Sequence, residues 1–377
     1  MEIYLDNAAT TRVCREAADA AYRVMTEDYG NPSSTHALGR KAKAILDEAR
    51  AHVAKPLGCK EEEFFFTSCG SESDNWAILE GAAAQKRYGK HIISSETEHE
   101  AVLRSLEKLQ REGYEVTLVK PDRTGAIPVS AVKEALREDT ILVSLMLVNN
   151  ETGAITDIAG VSRVLKEAGS KALLHTDAVQ GYLKIPFTAK ELGADMISVS
   201  GHKIHAPKGI GALYIRSGVK LPAHILGGGQ ESGLRSGTEP LPQIAAFGEA
   251  ARLAWAVRDE AAAHMAALRA RCADGITAAL PDAVVIGGGA PHILSVSLPG
   301  YRSEVLMNYL EAKGIFLSKS SACRRGRRSH VLKAMDVPDR VIDGALRVSF
   351  SRFTTEEECD TLIAALIAAH GELYPSL

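Results

Sequence analysis

The residues best suited to chemistry lie where stretches of apolar, strand-like sequence end. Lys203 closes the segment Ser200-Gly201-His202-Lys203, directly after the apolar residues 196–200. A lysine at the end of a buried strand is partly desolvated, and its pKa can fall far enough for it to form a Schiff base. The alternative is a lysine that extends its ammonium group to the solvent, which is the commoner case for a lone lysine.

Three further polar clusters follow strand-like stretches. Asp177 ends one of them and is suited to pair with a protonated ring nitrogen of a cofactor or, alternatively, with an arginine. Residues 67–72 precede a predicted helix, whose free N–H groups would bind a phosphate, although a plain capping loop with Ser71 as N-cap fits equally well. Residues 149–153 fit a turn or part of a site. Together the clusters favour a site for pyridoxal phosphate (PLP), since a phosphate cradle, an acid and a Schiff-base lysine are its parts.

These clusters need a sheet whose parallel strands end at one edge. The first two thirds of the chain alternate strand patterns with helix patterns, the strands at residues 63–67, 91–95, 140–148, 172–176 and 196–200 and the helices at 75–87, 101–112 and 161–168. This alternation with short connections predicts a mostly parallel sheet covered by helices on both faces. A long alanine-rich helix at about 242–280, with at most one break, then leads to a smaller α+β unit with strands at 293–298 and 345–350.

Composition narrows the class of protein. The 377 residues are 46% hydrophobic and 24% charged with a net charge of -3, so we expect two or three globular domains and no general attraction to nucleic acid or membrane. The six cysteines form no CxxC pair and His205 has no partner ligands at suitable spacing, so no metal site is expected. The chain shows no signal-peptide pattern and no apolar run of about 20 residues. We therefore expect a reduced, cytoplasmic protein.

Motifs along nearly the whole chain resemble those of the class V aminotransferases, and in particular of the cysteine desulfurases of the NifS/IscS type. The matching stretches occur in collinear order: Tyr4-Leu5-Asp6-Asn7-Ala8-Ala9-Thr10-Thr11, Gly30-Asn31-Pro32-Ser33-Ser34, Glu98-His99, Asn150-Glu151, Asp177-Ala178-Val179-Gln180, Ser200-Gly201-His202-Lys203, Gly209-Ile210-Gly211-Ala212-Leu213, Gly228-Gly229-Gln230-Glu231, Arg235-Ser236-Gly237-Thr238, Ser321-Ala322-Cys323, Ser329-His330-Val331-Leu332 and Arg347-Val348-Ser349-Phe350.

The resemblance implies a homodimer of the α/β fold of PLP-dependent transferases of fold type I. A large PLP-binding domain, residues 15–255, would contain a mostly parallel seven-stranded sheet between helices. A small α+β domain would combine residues 1–14 with residues 256–377, and it would carry the catalytic cysteine.

The resemblance also assigns roles to single residues. Lys203 would be the Schiff-base lysine, Asp177 the partner of the pyridine nitrogen and Gln180 that of the phenolic oxygen, while His99 would stack on the ring and transfer protons. The implied phosphate contacts are Gly70, Ser71, Ser200 and His202, with Thr238 supplied by the other subunit. Asn150, beside the cofactor, and Arg347 would hold the substrate carboxylate.

Cys323 matches the nucleophile of the implied reaction. PLP makes the α-proton of L-cysteine labile, the Cys323 thiolate attacks the substrate sulfur, and the products are alanine and a persulfide on Cys323. The sulfur would pass to an acceptor protein, either a scaffold of iron–sulfur cluster assembly or an enzyme of tRNA thiolation. We expect no direct contact with nucleic acid.

Some positions depart from the family pattern. Ser320-Ser321-Ala322-Cys323-Arg324 stands where Gly-Ser-Ala-Cys-Ser is usual, and the loop, which continues with Arg325, Arg327 and Arg328, is shorter than in many relatives. The arginines would stabilise a thiolate, dock an acidic acceptor or simply be solvated. Cys69 replaces a usual glycine and is either a small core residue or a second thiol. Ser71 replaces threonine but keeps the hydroxyl, and Ser232 replaces a basic residue.

Three other functions compete with cysteine desulfuration. A selenocysteine lyase shares the fold and the cofactor, and Cys323 is compatible with both activities. A class V aminotransferase is disfavoured by Ser321-Ala322-Cys323 and would be excluded if alanine formed without a keto acid. A catalytically silent scaffold is disfavoured because it has no chemical need for Lys203, and the lack of a PLP absorbance band would support it.

Overall fold

The computed structural model describes residues 2–319 and 328–375. Its strands are β1 (Ile3–Tyr4), β2 (Phe64–Thr67), β3 (His91–Ser95), β4 (Glu115–Val119), β5 (Thr140–Ser144), β6 (Leu173–Asp177), β7 (Met196–Ser200), β8 (Gly211–Ile215), β9 (Val284–Ile286), β10 (Ile293–Ser297), β11 (Ile315–Phe316), β12 (Ser318–Lys319) and β13 (Ala345–Ser349). Its α-helices are α1 (Arg15–Thr26), α2 (Ala37–Ala54), α3 (Gly70–Gln85), α4 (Glu100–Arg111), α5 (Val129–Ala135), α6 (Ile158–Glu167), α7 (Ala189–Leu192), α8 (Leu241–Ala256), α9 (Arg258–Ala279), α10 (Ser303–Ala312), α11 (His330–Ala334), α12 (Asp339–Asp343) and α13 (Glu356–Glu372).

The central sheet has seven strands in the order β2-β8-β7-β6-β5-β3-β4. Strand β8 is antiparallel to both of its neighbours, whereas the pairs from β7 to β4 are all parallel. The predicted mostly parallel seven-stranded sheet is therefore confirmed. The parallel strands β5, β6 and β7 end at the same edge, which brings the polar residues that follow them together.

Helices cover both faces of the sheet. Consecutive strand residues point to opposite faces, so neighbouring residues of one strand join different apolar clusters. Leu142 of β5 joins an apolar cluster with Trp76 of α3 and Val102 of α4. Its neighbour Val143 joins a second cluster, on the other face, with Phe247 of α8. Strand β5 therefore carries apolar residues at successive positions, Ile141, Leu142 and Val143.

A second core lies in the C-terminal part. Strands β12, β13, β10 and β9 form an antiparallel sheet that shares a cluster of buried residues with α9, α10 and α13. The N-terminal arm joins this unit, since β1 pairs with β11 and the side chains of Ile3 and Leu5 are buried in the same cluster. The predicted division into a large domain, residues 15–255, and a small domain, residues 1–14 with residues 256–377, stays a prediction.

The helix predicted at 242–280 with at most one break is two helices, α8 and α9, which meet at Val257 where the chain leaves the first core for the second. Two other local predictions need correction. The strand predicted to reach Val148 ends at Ser144. Leu145 N–H and Leu147 N–H still bond to carbonyl oxygens of β6, but Met146 N–H bonds to the Glu98 carboxylate instead of a strand. The N-cap of α3 is Cys69 and not Ser71.

Candidate active site

A cavity of about 400 Å³ opens at the carboxyl ends of β5, β6 and β7. The predicted site residues among those that line it are Gly70, Ser71, His99, Asn150, Asp177, Gln180, His202, Lys203 and Arg347. Ser200 is buried close by, with its Cβ 3.6 Å from the position that a Cβ on Gly70 would take. Thr238 is exposed and is not part of the cavity lining in this chain. Cys323, Arg324, Arg325 and Arg327 lie outside the described residues.

Lys203 lies in a 3-10 turn that directly follows β7. Its Nζ donates hydrogen bonds of 2.7 Å to the carbonyl oxygens of Ala8 and Ala9, which belong to the N-terminal arm. Burial, helped by the positive charges of Arg347 and Lys184, lowers the pKa of Lys203 to about 7. Near neutral pH a large fraction of this lysine is therefore the free amine, the form that attacks a carbonyl carbon.

Asp177 is the last residue of β6 and is buried. One carboxylate oxygen, Oδ1, accepts a hydrogen bond of 2.9 Å from Val179 N–H. Burial raises the pKa of Asp177, and attraction to His99 and Lys203 in their protonated forms offsets part of that rise. No salt bridge to an arginine is found for Asp177 within residues 2–319 and 328–375, and a bound cation beside it would favour its ionised form.

The N-terminus of α3 forms a cradle next to Asp177. The N-cap residue, Cys69, makes no side-chain capping bond, so the first N–H groups of a 16-residue helix keep their capacity for an acceptor. A Cβ on Gly70 would lie 2.8 Å from Val179 Cγ2, so glycine is what lets the N-terminus of α3 pack this closely against Val179. The buried Ser200 Oγ has no hydrogen-bond partner. A phosphate group would satisfy both the amides and this hydroxyl.

Two histidines of the site are held in defined states. His99 is the N-cap of α4, and its Nδ1 accepts a hydrogen bond of 3.1 Å from Ala101 N–H, which leaves Nε2 as the protonated nitrogen of the neutral ring. His202 Nδ1 lies 3.1 Å from Thr10 Oγ1. Burial and the charges of Lys203 and Lys208 lower the pKa of His202 to about 4, so this ring is neutral at physiological pH.

Arg347 connects the small domain to the cavity. It lies on β13 and is buried, and its guanidinium donates to the Asn150 carbonyl oxygen and to Asp6 Oδ1, both at 2.9 Å. The guanidinium has five N–H donors, and its Nε has no partner. Arg347 therefore has donors to spare for a second carboxylate after binding Asp6.

Four acids for which no role had been predicted line the cavity: Asp74, Glu98, Glu100 and Glu151. Glu98 Oε1 accepts hydrogen bonds from Ser95 Oγ at 2.5 Å and Met146 N at 3.1 Å, and burial raises the pKa of Glu98 to about 8. The burial of Asp74, Glu98 and Glu151 had no signal in the sequence, since charged residues are usually exposed and contacts such as those of Glu98 with Met146 and of Glu151 with Ser329 are long-range.

The segment that follows the predicted cysteine loop is anchored to the cavity. Ser329 Oγ donates a hydrogen bond of 2.5 Å to Glu151 Oε2, and His330 Nε2 lies 3.2 Å from the Glu98 carbonyl oxygen. Arg328 is paired with Asp343 at 2.6 Å and with Asp339 at 2.5 Å. Of the predicted basic cluster, Arg328 is therefore engaged in salt bridges within the chain.

We predict that Glu98→Gln flattens the pH dependence of stability of the PLP-free protein. A pKa of about 8 in the folded state, against an ordinary value of 4.5, means that the folded protein holds a proton that the unfolded chain releases. The stabilisation is complete below pH 4.5 and is lost as the pH rises toward 8. Between pH 5.5 and 7.5 the free energy of unfolding of the wild type should fall by up to about 3 kcal/mol more than that of Glu98→Gln.

Denaturant unfolding of both proteins at the two pH values measures this difference. The matched control is Glu100→Gln, the same carboxyl-to-amide change at a half-buried position two residues away. Equal slopes for wild type and Glu98→Gln would show that Glu98 is ionised in the folded protein.

Comparison with known proteins places this site in a family. Residues 3–362 match the family model described as aminotransferase class-V. The chain is 41% identical over 366 residues to a cysteine desulfurase IscS of Methanosarcina thermophila, covering 96% of this chain and 90% of that protein. It is 42% identical to cysteine desulfurase 2 of Trichormus variabilis, at 96% and 91% coverage. The chain belongs to the cysteine desulfurase family of class V aminotransferases.

Solved structures of the desulfurase family agree with this assignment. A NifS-like protein superposes with a TM-score of 0.93 at 39% identity, covering 99% of this chain and 100% of that one. A structure described as SspA in complex with cysteine superposes with a TM-score of 0.79 at 29% identity, at 94% and 100% coverage. The predicted family, its fold type I and the prediction of a PLP-dependent enzyme are thereby confirmed.

Two further observations concern metals and membranes. Among residues 2–319 and 328–375, no three His, Cys, Asp or Glu side chains are grouped so that they could hold a metal ion. In the same part of the chain no helix is long and apolar enough to cross a membrane.

Proposed function

We propose that this member of the desulfurase family binds PLP through Lys203 and removes sulfur from L-cysteine. The observation that carries the proposal is the convergence of a lysine with a lowered pKa, a buried Asp177 and an open helix N-terminus on one cavity. The unpartnered Ser200 hydroxyl and the uncapped N-terminus of α3 fit the phosphate, and Asp177 fits a protonated pyridine nitrogen. PLP supplies an electron sink for the α-carbon of a bound amino acid.

The protein side chains supply orientation and proton transfer. Arg347, with its spare donors, and Asn150 would hold the carboxylate of L-cysteine. The amine of Lys203 can take up a proton near neutral pH, and His99, which also lines the cavity, can deliver or accept one at Nε2. Gln180 would donate to the phenolic oxygen, and Gly70, Ser71, Ser200 and His202 would surround the phosphate.

We assign sulfur acceptance to Cys323, on the Ser321-Ala322-Cys323 motif. A bond forms between Cys323 Sγ and the substrate sulfur while the carbon–sulfur bond of the substrate breaks. The carbon gains a proton, so one L-cysteine and one thiol give one alanine and one persulfide, with no external oxidant or reductant. The persulfide sulfur would then pass to an acceptor, a scaffold of iron–sulfur assembly or an enzyme of tRNA thiolation, in the cytoplasm.

The proposed enzyme is a homodimer. Thr238 is exposed and lies away from the cavity of its own chain, although its family counterpart is a phosphate contact. We propose that Thr238 reaches the phosphate site of the partner subunit, so that each site is completed by two chains.

The test is the product balance of L-cysteine turnover by the purified, PLP-loaded protein without any keto acid. With dithiothreitol present, we expect alanine and sulfide in equal amounts. Alanine that appears only after a keto acid is added would identify an aminotransferase instead. A protein that shows the PLP absorbance band but does not turn over L-cysteine would contradict the proposal.

A further inference from the structure

The Gln180 side chain is held from two sides by groups that the reaction itself does not use. Its Nε2 donates a hydrogen bond of 2.8 Å to the Ala8 carbonyl oxygen, which also accepts from Lys203 Nζ. Its Oε1 lies 3.3 Å from Nε2 of His292, the residue that precedes β10 in the small domain. His292 is completely buried, and its carbonyl oxygen accepts from Phe350 N–H at the end of β13.

The partners determine which end of the amide faces which way. A carbonyl oxygen only accepts, so the atom of Gln180 that faces Ala8 must be the nitrogen. The amide oxygen then faces His292, and because that oxygen only accepts, His292 Nε2 must carry the proton. Its Nδ1, which has no partner, is left as the unprotonated nitrogen. Lys184, Lys203 and Arg347 surround the ring with positive charge, and together with burial they lower its pKa, which keeps it neutral.

We propose that His292 is a positioning residue that holds the Gln180 amide with its second N–H turned toward the PLP site. This rests on the proposed PLP-dependent function. The reversed amide would place its oxygen against the Ala8 oxygen and offer the cavity an acceptor in place of a donor. His292 belongs to the predicted small domain and Gln180 to the predicted large one. The orientation of the Gln180 amide, and so of its N–H toward the cofactor, therefore depends on the packing of the two units.

The test measures the pH at which the visible absorbance band of bound PLP titrates. A donor to the phenolic oxygen stabilises its negative charge, so a weaker donor makes the bound cofactor more basic. His292→Leu removes the N–H and should move this titration upward by about 0.5–1 pH unit, the size expected for one hydrogen bond. His292→Gln places an amide N–H near the position of the ring Nε2 and should restore the wild-type value.

A double-mutant cycle separates positioning from general stability. In a Gln180→Ala background, His292→Leu should cause no further shift, because the amide through which it acts is gone. Equal titration of wild type and His292→Leu would overturn the inference, as would an undiminished shift in the Gln180→Ala background. Wild-type protein that shows no visible band with PLP would instead refute the proposed function, so the two failures are distinguishable.

Discussion

Lys203→Ala is expected to abolish the visible absorbance band of the PLP-loaded protein and to lower L-cysteine turnover by about 10³-fold or more. Lys203 is the lysine in the cavity, and its ammonium form is disfavoured by burial. Removal of its side chain eliminates both the covalent attachment of the cofactor and the amine that exchanges protons with the substrate. Absorbance spectra and the alanine assay on the same protein samples measure the two effects.

The chain contains a matched control for this variant. Lys184 is also buried, its pKa is lowered to about 8, and its Nζ has no partner, but it does not line the cavity. Lys184→Met should keep the absorbance band, since a buried lysine without a partner is readily replaced by an apolar chain of similar length. A band that survives in Lys203→Ala and disappears in Lys184→Met would reassign the attachment site.

Cys323→Ala is expected to keep the absorbance band and to lose persulfide formation, with alanine and sulfide release reduced by more than about 100-fold. The proposed cofactor contacts lie within residues 70–238, whereas the proposed role of the Cys323 thiol is only to accept sulfur. Detection of the persulfide by alkylation and mass spectrometry, together with the absorbance spectrum, separates the two steps.

Two other cysteines serve as the control and as the alternative sulfur acceptor for this variant. Burial raises the pKa of Cys59 to about 12, so this thiol is inert and Cys59→Ala should retain full persulfide formation. Cys69 lines the cavity and is the alternative thiol there. A persulfide found on Cys69, with sulfide release unchanged in Cys323→Ala, would contradict the assignment of Cys323.

The architecture was largely predictable from the pattern of apolar residues. Strands β5 to β7 are buried on both faces, so their sequences are rich in apolar residues and stand out from the helices between them, although β6 and β7 also carry buried polar residues such as His175 and Ser198. Strand β4 was missed because it lies at the edge of the sheet, where four of its five residues are at least partly exposed and the apolar signal is weak. The end of β5 was misplaced because it depends on Glu98, a contact between residues 48 positions apart.

The locations of the principal site residues were also predictable, because each stands at the end of a strand. Lys203 and Asp177 follow the apolar runs of β7 and β6, and parallel strands bring such ends to one edge. Arg347 required the family resemblance, since it lies on a strand of the other domain. Its contacts with Asp6 and the Asn150 carbonyl join three segments that no local pattern connects.

The sequence by itself determined the fold class, the family and the residue types available for PLP chemistry, because these depend on periodicity and on short motifs. Only the tertiary structure decided the protonation state or tautomer of each titratable side chain in the site. The lowered pKa of Lys203, the raised pKa values of Glu98 and Asp177, and the tautomer of His292 all arise from burial and from partners distant along the chain. Desolvation and hydrogen-bond direction are properties of a packed environment, and a linear sequence does not specify that environment.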